Sequence, residues 1–114
     1  MNPYDTLTDE ALHENLLSLG RGECEASADI VLHLMVVKDR KMFAKKGFSG
    51  IFGYCTDALR FSRSSAYRRK TVVDHAQEFP ELIARLRDGR LHLCAAAAIA
   101  PNLTRENSKE LMDA

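Results

Sequence analysis

Signatures of catalysis and metal binding are missing from these 114 residues. There is no His-Glu-x-x-His, no Gly-rich phosphate loop and no Gly-x-Ser-x-Gly. Zinc-protease, P-loop and serine-hydrolase chemistry therefore have no motif to stand on. The three cysteines, Cys24, Cys55 and Cys94, are odd in number, far apart and never arranged as Cys-x-x-Cys. That pattern suggests neither a disulfide framework nor a zinc cluster, and free thiols fit a reducing cytoplasm. The longest apolar run, Leu93 to Ala100, is Ala-rich and far shorter than a bilayer span. The opening Met1-Asn2-Pro3-Tyr4-Asp5 has neither a basic nor an apolar region, so no signal peptide is expected. β-Branched residues are sparse and strand-like alternation never persists, so no sheet is expected.

What is present reads as helix. The length supports one domain, and 46% hydrophobic residues allow a modest core without metals or disulfides. Thr8 is a fitting N-cap, with Leu7 and Leu12 at staple positions. Leu12, Leu16 and Leu19 recur at helical spacing up to a stop at Gly20. A second helix is expected from about Gly22 to about Lys46, with Cys24, Ala28, Val31 and Met35 inward, Ile30, Leu34 and Val37 beside them, and Gly47 as the stop. Ser49 caps a third helix to Leu59, burying Phe52, Cys55 and Leu59; Ser62 caps a fourth to about Gln77. Pro80 and Gly89 bracket a fifth. An Ala-rich sixth ends at Pro101, and Thr104 caps a last. The expectation is a compact all-α single domain, residues 1–114, of about six to seven helices.

Charge is absent only in the sum. Sixteen bases and sixteen acids cancel, yet residues 1–34 carry seven acids and one base, residues 35–70 ten bases and two acids, and residues 71–114 seven acids and five bases. Within the cationic third, residues 60–70 hold Arg60, Arg63, Arg68, Arg69 and Lys70 with no acid. A basic segment on a helix is the footprint of a phosphate-binding surface.

The third and fourth helices are joined by only Arg60 to Ser62, a spacing that predicts a helix-turn-helix over about residues 50–77. The turn favours glycine, and Arg60 stands at that position, where positive φ costs about 1 kcal/mol. Advancing 100° per residue from Arg63 puts Ala66, Val73 and Ala76 on the core side with Val72 at its edge. Ser64, Tyr67, Arg68 and Thr71 point away, flanked by Arg63 and Lys70. Forked guanidiniums, hydroxyls and one aromatic are what base edges and phosphates require. Arg63, Ser64, Tyr67, Arg68 and Thr71 are the candidates for groove contacts; Arg60, Lys70, Lys45 and Lys46 are the candidates for phosphates. Arg69 falls near the buried edge and reads as an ion-pair or backbone anchor. Bland readings stand beside these. A cationic face is commonly just solvated or matched to the acidic first third, and Lys38, Arg40, Lys41, Lys45 and Lys46 also complement a helix C-terminus.

Ser62-Arg63-Ser64, Pro80, Gly89-x-Leu91 and the Ala-rich helix resemble the helix-turn-helix of ParB-type partition proteins, over about residues 50–100. In that family the Ser-Arg-Ser segment opens the recognition helix; no ParB nucleotide-binding box is visible upstream, so no nucleotide chemistry is implied. A broader resemblance is to the helical N-terminal region of bacterial HNH endonuclease-like proteins. It rests on Gly47-Phe48-Ser49, Phe52, Tyr54-Cys55, Ala66-Tyr67-Arg68-Arg69, Phe79-Pro80-Glu81-Leu82, Gly89-Arg90-Leu91-His92-Leu93 and Pro101-Asn102-Leu103-Thr104-Arg105-Glu106-Asn107. In that family nuclease activity comes from a C-terminal HNH module, and these residues contain none. HNH chemistry needs histidine as base and metal ligand. His13, His33, His75 and His92 are expected on separate helices, His92 half-buried, with Cys55 and Cys94 as small core residues. No catalytic residue, metal or cofactor is therefore assigned. The leading expectation is a DNA-binding domain acting on double-stranded DNA, with no membrane and no small-molecule substrate. The alternative is an interaction or oligomerisation module, a homodimer included, that uses the acidic N-terminal helices and the basic helix.

Overall fold

The computed structural model describes residues 2–113. Among them the regular structure is wholly helical, in seven helices that form one domain. Helix α1, Asp9–Arg40, is capped by Thr8, whose Oγ1 accepts from the Ala11 N–H at 3.1 Å, with Asp9 and Glu10 in the first turn. It is one helix where two were expected. Gly20 does not stop it: a C′ glycine works by adopting positive φ, and Gly20 and Gly22 both keep negative φ with nothing near their missing Cβ atoms. Lys41 stops it instead, at φ 52°, its N–H bonded to the carbonyls of Val37 and Lys38. A single turn, α2 (Met42–Lys45), follows, and Gly47 at φ 90° ends that turn.

Helix α3 begins as Ile51–Gly53 and widens into one π-helical turn, Tyr54–Ala58. Its N-cap is Gly50, with no side-chain cap, so Ser49 does not serve. Helix α4, Arg63–Ala76, is capped by Ser62, whose Oγ accepts from the Ser65 N–H at 3.1 Å. Helix α5, Glu81–Asp88, lies between Pro80 and Gly89, the latter at φ 82°. Helix α6, Leu93–Ile99, passes into a 3-10 turn at Ala100–Asn102. Thr104 and Asn107 exchange backbone-to-side-chain bonds ahead of α7, Ser108–Asp113.

The core follows the predicted stripes. Ala28, Val31, Leu34 and Val37 of α1 are buried with Cys55, Ala66, Val72, Val73, Ala76, Leu82, Leu86 and Ala96. Helix α5 lies along the rear half of α1, with Arg87 Nη2 2.8 Å from Asp29 Oδ1. Arg85 ties α5 to α7 through Asp113 and the Met112 carbonyl. Three inward assignments fail. Leu59, His92 and Cys94 are exposed, because the π turn and the α5–α6 corner rotate them outward. The leucines of the first half of α1 are exposed as well, since no later helix reaches that far forward.

Candidate nucleic-acid interface

The basic segment forms the turn before α4 and that helix's outer face. Arg60 adopts φ 65°, the left-handed conformation expected of the turn residue. The Phe61 N–H bonds to the Cys55 carbonyl at 3.0 Å, which closes the corner. Ser62 then starts α4 at a fixed place, so every later side chain has a defined direction.

On the core side of α4, Ala66, Val72, Val73 and Ala76 are buried, as the helical spacing predicts. On the outer side Tyr67 is 63% exposed, Ser64 and Arg63 are exposed, and Arg68 is half-buried. The Arg63 guanidinium stands over the Phe52 ring, 5.3 Å from its centroid, which joins α4 to α3 at the surface. Thr71 uses its hydroxyl on the Tyr67 carbonyl at 2.9 Å, so its donor is engaged inside the helix. Arg60, Ser64, Arg68, Lys45 and Lys46 make no side-chain hydrogen bond or ion pair among the described residues.

Lys70 is not a free phosphate donor. Its Nζ lies 2.7 Å from Asp74 Oδ2, while Lys38 Nζ of α1 lies 2.9 Å from Oδ1 of the same carboxylate. Burial pushes the Asp74 pKa up, but the hydrogen bonds and charge of Lys70 and Lys38 outweigh it and hold the carboxyl below its ordinary value. Asp74 lies on the outer side of α4 and was missed in the sequence reading. The Lys70–Asp74 spacing of four was the visible signal; Lys38, in a different helix, was not visible.

Arg69 is an anchor. Its guanidinium lies over Phe61, 4.3 Å from the centroid, and donates to the carbonyl and hydroxyl of Ser65. Its Nε is buried without a partner. Burial lowers its pKa, the neighbouring Cys55 raises it, and Arg68 lowers it further. Burial likewise pushes the Cys55 thiol up, with Arg69 pulling the other way.

His13 and His33 share α1 rather than separate helices, but they are too far apart in that helix to meet. Among the described residues no group of three or more His, Cys, Asp or Glu could hold a metal, and no helix is long and apolar enough to cross a membrane. Comparison with protein-family models, with curated proteins and with solved structures finds no match.

Proposed function

We propose that this chain is a helix-turn-helix DNA-binding domain, with α4 as the helix that enters the major groove. The observation that carries the reading is the state of the α4 surface. Among the described residues Arg60, Ser64 and Arg68 have no side-chain hydrogen-bond or ion-pair partner, Tyr67 stands clear of the body, and Ser62 and Arg60 hold the helix start and the preceding corner in place. Arg63, Ser64, Tyr67 and Arg68 contact base edges or the groove wall; Arg60, Lys45 and Lys46 take phosphates. Thr71 and Lys70 join only if their internal bonds open.

The test is fluorescence anisotropy of a labelled duplex from low to physiological salt. Binding with a steep negative log–log slope is expected, because each phosphate contact releases counterions. Once a site is found, Arg68→Ala should weaken binding by about 1–3 kcal/mol and relax specificity. No binding at low salt would remove the reading and favour the interaction module, which the acidic front of α1 also suits.

A further inference from the structure

The first half of α1 leaves the body of the molecule. From α5 onward the chain covers α1 only from about Cys24 to its end. Ahead of that point the core-facing stripe continues into solvent: Leu16 is 65% and Leu19 67% exposed, with Leu12 and Leu17 also open. Between this arm and the α5–α6 corner runs an open groove, lined by Leu16, Leu17, Cys24, Leu86, Leu91 and Leu93.

Area says how much is uncovered. A folded monomer of 12.8 kDa exposes about 6,300 Å², whereas this chain exposes 7973 Å². The surplus, roughly 1,700 Å², exceeds the ~800 Å² that each partner gives to a standard protein interface. The radius of gyration, 16.6 Å, likewise exceeds the ~13 Å expected of a domain this size. Gly20 and Gly22 weaken the arm as an isolated helix, so its helicity needs a covering surface.

We infer that two copies of this chain pair through the arm, each arm lying in the other's groove. Every molecule carries both the leucine arm and, beside it, the groove that receives one, so a single two-fold contact closes both at once. The groove also carries Glu23, Glu25 and Asp88 next to Arg21, Arg87 and His92. Charge is mixed there, and the acidic arm gains little from it, so apolar area holds the pair. The inference does not rest on DNA binding.

The experiment is sedimentation equilibrium of the full chain across a dilution series, in low and high salt, with far-UV circular dichroism alongside. The wild type is expected at twice 12.8 kDa, dissociating on dilution and not in salt. Leu16→Glu/Leu19→Glu should halve the mass while the body stays folded; Leu16→Gln/Leu19→Gln serves as the second variant if the first unfolds. A wild type that is monomeric at every concentration overturns the proposal. So does a dimer that survives both variants, or one that falls apart in high salt, which would mark a match of acidic arm to basic α4 instead. DNA binding is read separately and can succeed or fail in either case.

Discussion

Asp74 joins two helices through a single carboxylate, with Lys38 on one oxygen and Lys70 on the other. The pairs are half-exposed, so Asp74→Asn should cost only about 0.5–1 kcal/mol at neutral pH. The sign with pH follows from its lowered pKa. The stabilisation is complete above the unfolded value and is lost as pH falls through the folded one, so urea melts of wild type and variant should converge in acid. The same change frees two lysines and removes an acid from the α4 surface. On the proposed function it should tighten DNA binding and steepen the salt slope by about one or two phosphate contacts. A slope unchanged by Asp74→Asn would place the DNA away from this end of α4. The cysteines give a second residue-scale expectation. Cys94 is exposed and Cys24 partly so, whereas Cys55 is fully buried with a raised pKa. A thiol-reagent time course at neutral pH should show Cys94 reacting first and Cys55 only when the chain unfolds.

Helix α4 depends on its start. Ser62→Ala removes the acceptor for the Ser65 N–H and should lower stability by about 1 kcal/mol in denaturant melts. On the proposed function it should also weaken DNA binding beyond what stability explains, because the cap sets where the outer face points. The caps that hold, Thr8 and Ser62, were legible because a cap acts within four residues. The stops were less legible. Gly89 and Gly47 adopt positive φ and end helices, whereas Gly20 stays in the helical conformation and ends none. Arg60 was readable as the turn residue from the length of the connection, although its type argued against positive φ.

Across the whole molecule stability is uneven. Residues 28–37 of α1 belong to the core, while residues 12–20 touch little within the chain. Hydrogen exchange should show the front of α1 exchanging through small local openings and the rear only through global unfolding, within one continuous helix. At low protein concentration the contrast should be large. Protection of residues 12–20 that rises with concentration would match the paired arms; protection equal to that of residues 28–37 at every concentration would contradict the free arm.

The all-α class, the helix starts at Thr8 and Ser62 and the core side of α4 were decided by the sequence alone, because caps and 3.6-residue periodicity are local physics. The stripe of Leu12, Leu16 and Leu19 obeys the same periodicity as Val31 and Leu34, yet only the latter is buried. Periodicity marks which side of a helix is apolar; tertiary structure decides whether anything covers it. The same holds for the basic surface. The residue types and spacing named the candidates, but only the approach of Lys38 to Asp74 shows that Lys70 is engaged, and only the Phe61 ring under Arg69 shows that this arginine is an anchor. Both depend on partners that the chain brings together by folding rather than by proximity in sequence.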